Sequence, residues 1–421
     1  MSRPCETAGR QCGAHRVMPS WGLAVTEWLF LLLPVAAASG WWAARHGAPQ
    51  RSVPGAVPDA AFLRGLSYLL DQRPDKAIDV FLRMAEVDGE TVEIHLALGS
   101  LFRRRGEVER AIRIHQNLVA RPGLDREQRG FALYELAQDY MRAGLFDRAE
   151  SLLQELAEIE PQGRRALKAL IEIYQQEKDW AHALSVAERL EQFTGRRMAV
   201  PIAQYHCELA EECIKARAQE PASAHLRAAQ AVHPQCVRAT MLQARIEMQR
   251  GDAQSALTLC RRVAEQGPQY IPDVLPQLLE ALTHLDGVDV QAELWRLNRA
   301  QPSPALMSAL TDAIVRDQGV AAALGFLSQH LREHADLAAL ERLLELQSAG
   351  DGRDGTHQGT VLRVVARLRA RQPAYQCDQC GFVARRLHWQ CPSCKSWGTI
   401  KATRPGPMDP ALDSTPTPPA T

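Results

Sequence analysis

A small residue returns along this chain at nearly constant intervals. Ala77, Ala111, Ala149, Ala183, Ala222 and Ala256 are separated by 34, 38, 34, 39 and 34 residues. Nine residues before the first four stands an aromatic ring: Tyr68, Phe102, Tyr140 and Tyr174. Gly65 and Gly99 share one phase, and Gly106, Gly144 and Gly251 stand five residues ahead of their alanines. Pro161, Pro234 and Pro268 each follow an alanine by twelve residues. Chance helical periodicity does not keep so many residue types in phase over six recurrences.

A period of about 34 residues with these offsets is that of the tetratricopeptide helical hairpin. The alanine lets the second helix of a pair approach the first, and the aromatic fills the gap between them. The glycine ends the first helix by taking a left-handed conformation, and the proline stops the second. The array is expected over 59–347. Past Pro268 the pattern decays, and 271–347, with Leu324, Leu327, Leu331, Leu337, Leu340 and Leu344, reads as degenerate helical repeats.

The sharpest chemistry lies near the C-terminus. Cys377 and Cys380 form one C-x-x-C pair, and Cys391 and Cys394 form a second. Each pair can fold into a knuckle that aims two thiolates at one point, and two knuckles complete a tetrahedral S4 site. Gly381 supplies a turn conformation that other residues resist, and Pro392 stiffens the second knuckle. Tyr375, Phe382, Trp389 and Trp397 alternate with the ligands and are expected to give this ribbon, 372–402, its apolar cover. A module of about thirty residues needs a staple, which one metal ion would provide. Iron of the rubredoxin type and zinc both suit S4 ligation. With all four positions taken by sulfur the site is structural. A redox role would make the chain an electron carrier, but no flavin or dinucleotide site accompanies it.

Other cysteines show no such spacing. Cys207, Cys213, Cys236 and Cys260 fall in helical apolar patterns and read as small core residues, while Cys5 and Cys12 are isolated. Free thiolates require a reducing compartment. The formal net charge of zero argues against nucleic-acid binding. Only six of the 49 basic residues are lysine, a skew that points to GC-rich codons.

The stretch 28–44 carries no charge, with Trp28 at one end and Trp41 and Trp42 at the other. As a helix it spans about 25 Å, and with its flanks at 25–44 it reaches bilayer thickness with aromatic belts in place. Ala36, Ala37 and Ala38 have the form of a signal-peptide cleavage site, but Pro34 and the tryptophan pair suit a retained transmembrane helix better. Arg45, Arg51 and Arg64 follow the run and place its C-terminal side in the cytosol. Arg3, Arg10 and Arg16 precede it and argue the other way. That conflict disappears if translation begins near Val25 or, failing that, at Met18, leaving 1–24 as a dispensable extension.

The remaining stretches connect. Residues 45–58, with three prolines, read as a linker, and the glycine-rich 348–359 as a flexible joint within 348–371. A short basic helix follows, with Arg363, Arg367, Arg369 and Arg371, as a solvated face or a contact for anionic lipid or an acidic partner. The tail at 403–421 has a disordered composition. No phosphate loop, nucleophile elbow, zincin helix or dinucleotide fingerprint occurs, and His95, His115, His182, His206 and His225 occupy helical repeat positions. Catalytic and organic-cofactor residues are therefore not expected.

The anchor segment 29–38, the second-repeat segment 106–116 and the ribbon together resemble the lipopolysaccharide assembly protein B family of Gram-negative bacteria. In the ribbon the matching residues are Cys377, Cys380, Gly381, Phe382, Trp389, Cys391, Pro392, Ser393, Cys394, Trp397, Thr399, Ile400 and Lys401. The resemblance spans about residues 25–402. It implies a mainly α chain: an N-terminal transmembrane helix, a tetratricopeptide solenoid and a rubredoxin-like ribbon packed on it. It also implies a non-enzymatic, single-pass inner-membrane adaptor facing the cytoplasm. Such an adaptor restrains lipopolysaccharide synthesis by bringing the deacetylase LpxC to the membrane protease FtsH. The alternative is a scaffold that assembles lipopolysaccharide biosynthesis enzymes at the inner membrane, and other lipopolysaccharide assembly proteins are implied partners.

Overall fold

The period found in the sequence is a period of helix pairs. A computed structural model describes residues 60–71, 73–87, 91–159, 161–300, 302–334, 336–351, 356–371 and 373–403. The chain divides into two units, Met1–Val80 and Phe81–Thr421. The helices are α1 (Ala60–Leu70), α2 (Pro74–Val87), α3 (Val92–Arg105), α4 (Val108–Val119), α5 (Arg126–Ala143) and α6 (Phe146–Ala157). They continue with α7 (Gly163–Glu177), α8 (Trp180–Thr194), α9 (Ala199–Lys215), α10 (Gln219–Val232), α11 (Val237–Arg250) and α12 (Ala253–Gln266). After a 3-10 turn (Pro268–Tyr270) come α13 (Ile271–Thr283), α14 (Val290–Ala300), α15 (Pro304–Gln318), α16 (Val320–Glu333), α17 (Leu337–Asp351) and α18 (Thr356–Arg371). Within the larger unit most helices pack on the next, and successive pairs bury a series of apolar clusters between them.

All six periodic alanines are the fourth residue of a second helix, in α2, α4, α6, α8, α10 and α12, and all six are fully buried. The position five residues earlier is left-handed in each pair from α3 on: Gly106 (φ 89°), Gly144 (75°), Lys178 (62°), Arg217 (60°) and Gly251 (82°). The residue after it donates its N–H back across the turn to the carbonyl nine before the alanine. Those bonds are Glu107 to Phe102 (2.9 Å), Leu145 to Tyr140 (2.9 Å), Asp179 to Tyr174 (2.9 Å), Ala218 to Cys213 (2.8 Å) and Asp252 to Glu247 (3.0 Å). This is the closing bond of a Schellman turn, which satisfies an orphan carbonyl at the helix end. Glycine marks the position in three pairs only. In the other two the backbone takes the same shape with a side chain attached.

The aromatic of each early pair carries a second regular contact. Eight residues on, Lys76 lies 5.8 Å from the Tyr68 ring, Arg110 5.6 Å from Phe102 and Arg148 5.8 Å from Tyr140. His182 stacks on Tyr174 at 5.3 Å. Each is a cation or imidazole on the second helix covering the ring that fills the pair.

A polar cluster lies between the second and third pairs of the array. His115 Nδ1 meets Asp139 Oδ2 at 2.5 Å, and Arg103 donates to Asp139 Oδ1 at 2.7 Å and to Glu135 at 2.5 Å. His115 and Asp139 are fully buried. The imidazole lies against Gly99, where an added Cβ would stand 2.3 Å from Nε2. The glycine phase at this position makes room for a histidine.

α6, α10 and α12 end before Pro161, Pro234 and Pro268, as the sequence requires. Helices occupy both ends of the expected joint at 348–359, with 352–355 outside the described residues. The run at 28–44, the extension 1–24, the linker 45–58 and the tail 404–421 also lie outside them. Among the described residues no helix is long and apolar enough to cross a membrane. After α18 the chain forms β1 (Tyr375–Cys377), β2 (Val383–Ala384) and β3 (Ile400–Ala402), an antiparallel sheet in the order β2-β1-β3. Its register pairs Tyr375 with Ala384 and Ala402, and Cys377 with Ile400.

The left-handed series yields a test. A methyl group added at Gly144 would meet only open space, so Gly144→Ala should cost about 1 kcal/mol through backbone strain alone. Lys178→Gly should not lower stability, since it removes the same strain. Denaturant midpoints of the two variants should therefore move in opposite directions or, for Lys178→Gly, stay unchanged.

Candidate metal centre

Two matching turns build the site. In the first, Cys377 N–H donates to Phe382 O (2.8 Å) and Gly381 N–H to Cys377 O (2.9 Å). In the second, Cys391 N–H donates to Ser396 O (2.8 Å) and Lys395 N–H to Cys391 O (2.9 Å). The residue after each C-x-x-C is left-handed, Gly381 at φ 74° and Lys395 at 59°. Glycine marked only the first turn in the sequence. Asp378 N–H to Thr399 O (2.9 Å) ties the first knuckle to the residue before Ile400, and Gly398 N–H to Trp389 O (2.8 Å) closes the loop that carries the second.

The turns bring Cys377, Cys380, Cys391 and Cys394 together, all four Sγ atoms within 4.8 Å of one another. Cys377 and Cys394 are 3.8 Å apart, and Cys380 and Cys391 3.6 Å. A tetrahedral ion with metal–sulfur bonds of about 2.3 Å demands sulfur–sulfur edges of about 3.8 Å, so the donor set fits one ion. Iron and zinc fit alike. Bound there, either metal would cross-link the two turns and leave no open coordination position.

The surroundings favour thiolates unevenly. The Thr399 hydroxyl, 3.3 Å from Cys377 Sγ, and the N–H groups of Cys380 and Gln379 hold the Cys377 thiol down at about 6. A hydrogen bond from the Ser396 side chain lowers Cys394. Burial pushes Cys391 up to about 11. Lys401 pairs with Asp378 at the rim. Among the described residues this is the only cluster of three or more metal-ligating side chains.

The four aromatic residues divide their labour in a way the sequence did not show. Tyr375 and Phe382 pack on the ribbon's small core of Cys377, Cys391 and Ile400. Trp397 instead lies in the core of the helical array, edge-on to Trp180 (6.0 Å) and Tyr205 (5.9 Å). Trp389 lies 5.4 Å from the Tyr270 ring and 5.6 Å from the Arg238 guanidinium. The expectation that all four cover the ribbon itself is therefore corrected, because two of them are its attachment. Polar contacts complete the seat: the Tyr375 hydroxyl donates to Asp273 (2.7 Å) and the Gln390 amide to Gln175 (2.5 Å).

Arg238 is the seat's charged centre. It is buried beneath Trp389, held by Glu208 (2.9 Å), Glu211 (2.7 Å) and the Gln204 carbonyl oxygen (3.1 Å). Its burial is compensated by these acceptors, which keep its pKa above the ordinary value against the cost of desolvation. Beside it Cys207 and Cys236 bring their sulfurs within 3.8 Å, both buried. Cys260 is buried as well, and burial raises its thiol to about 12; Cys213 is half-buried. None of these array residues carries a sequence motif. The family resemblance implied that the ribbon packs on the array, but no local pattern marked Trp389 and Trp397 as the attachment.

Comparison with known proteins agrees with both parts. Residues 375–402 match the family description "Rubredoxin metal binding domain", and 94–128, 134–196 and 216–271 match "Tetratricopeptide repeat". Lipopolysaccharide assembly protein B of Escherichia coli (strain K12) is 36% identical over 384 residues, 90% of this chain and 98% of that protein. The protein of the same name from Haemophilus influenzae is 35% identical over 390 residues, 89% of this chain and 98% of its own length. Among solved structures, the C-terminal part of a tetratricopeptide protein from Cytophaga hutchinsonii aligns with 12% identity and a TM-score of 0.40. That alignment covers 57% of this chain and 96% of the other.

Two substitutions separate the staple from the seat. Cys377→Ser should remove the metal, unfold the ribbon and expose Trp389 and Trp397, while the array keeps its far-ultraviolet helical signal. Elemental analysis and a red shift of tryptophan emission measure it. Trp397→Ala should leave one metal per chain but cost about 3 to 5 kcal/mol of attachment. Limited proteolysis would then cut between α18 and β1 faster than in the parent.

Proposed function

The chain belongs to the lipopolysaccharide assembly protein B family, and from that membership we propose that it is a non-enzymatic adaptor in lipopolysaccharide assembly. The run at 28–44 would hold it in the inner membrane with array and ribbon in the cytoplasm. The adaptor restrains synthesis by binding the deacetylase LpxC and presenting it to the membrane protease FtsH, so that LpxC is degraded.

The observation that carries the reading is the family match along nearly the whole length, which takes in array and ribbon together. Physical features support it. Stacked helix pairs offer extended surfaces to protein partners. The four-thiol site is closed, which suits a structural staple rather than a catalyst. Eight free cysteines among the described residues also suit a reducing compartment, in keeping with a cytoplasmic placement.

Depletion of the protein should lengthen the half-life of LpxC and raise lipopolysaccharide. A pulse-chase of LpxC measures the first effect directly. Unchanged turnover, with capture of biosynthetic enzymes but never of the protease, would replace this reading with that of a scaffold.

A further inference from the structure

α18 carries an arrangement that neither the metal centre nor the array explains. Its sixteen residues include four arginines and no acidic residue, in a chain whose formal net charge is zero. One edge of the helix is buried through Val365, and Arg369 on that side pairs with Glu341 at 2.5 Å. Next to this edge the helix presents Val361, Val364 and Leu368 to solvent, at 48%, 49% and 46% exposure. Their i, i+3, i+7 spacing puts them on one stripe. Arg363 and Arg367 are exposed alongside the stripe, and among the described residues neither pairs with a carboxylate.

A solvated helix face has no use for three half-exposed aliphatic side chains in line. The aromatic anchors that dominate many protein-binding hot spots are absent from this face. An aliphatic stripe bordered by arginines without a carboxylate partner instead matches the boundary between acyl chains and anionic headgroups. We propose that this face of α18 docks on the surface of a bilayer containing anionic phospholipid, with Val361, Val364 and Leu368 at the acyl boundary and Arg363 and Arg367 among the phosphates. The inference rests on the inner-membrane placement proposed above and adds a second, reversible contact to the anchor. Arginine suits the role because its guanidinium binds phosphate through paired N–H groups and does not lose its charge.

The test uses the full chain with an environment-sensitive fluorescent amino acid in place of Val364. The protein is combined with vesicles of phosphatidylcholine alone or with about a third phosphatidylglycerol. A blue shift on the anionic vesicles only is expected, weakened about thirtyfold in lipid titration by the double change Arg363→Glu and Arg367→Glu. Circular dichroism of that variant should match the parent, which excludes unfolding as the cause. Equal emission on both vesicle types overturns the proposal. So does a shift that follows protein concentration rather than lipid charge, because it would assign the face to a second copy of the chain. Flotation with both vesicle types reads the anchor separately: a chain that floats with each but shows no shift leaves the anchor standing and removes the α18 contact. A chain that floats with neither, and shows no shift, removes both.

Discussion

The distance between paired helices governs everything built above it. A methyl side chain at the fourth residue of each second helix is what the space between helices admits. Any larger group there would meet the first helix, in an interior packed as densely as an organic crystal. The aromatic nine residues earlier fits only because that approach is close. The Schellman turn joins the two helices at a fixed angle because the residue between them is left-handed. Repeated from α3 to α12, this geometry brings Gln175, Tyr205, Arg238, Tyr270 and Asp273, contributed by different pairs, into reach of one small ribbon.

The period and the four thiols were legible because each is local. An alanine, a ring, a turn and a C-x-x-C pair declare themselves within a few residues, and the physics they encode acts over the same span. Lys178, Arg217 and Lys395 escaped the reading because left-handed backbone is usually announced by glycine, and here neighbouring hydrogen bonds impose it on residues with side chains. The partnership of His115 with Asp139, 24 residues apart, and that of Cys207 with Cys236, 29 apart, depend on stacking one pair on the next. Most hidden of all was the seat. Trp397 and Trp180 share no pattern, and only the folded array brings them together.

The ribbon is a fold with too little interior. Cys377, Cys391 and Ile400 are its buried core, and two of the three also belong to the four-thiol site. It therefore depends on support from both sides, a cross-link within and an aromatic seat without. The seat in turn holds a buried guanidinium that only its ring of acceptors and the Trp389 face make tolerable.

Chain order gives this attachment a further consequence. Trp180, Tyr205 and Tyr270 are synthesised well before Trp389 and Trp397, which follow the last of them by more than a hundred residues. At ordinary elongation rates the seat waits on the order of ten seconds for its cover. Throughout that interval the nascent chain lacks the tryptophans that cover its aromatic rings and Arg238. A ribosome that stalls before Trp389 leaves the patch permanently bare, and such a surface is what chaperones and proteases seize. The patch is thus covered only once translation has passed Trp397.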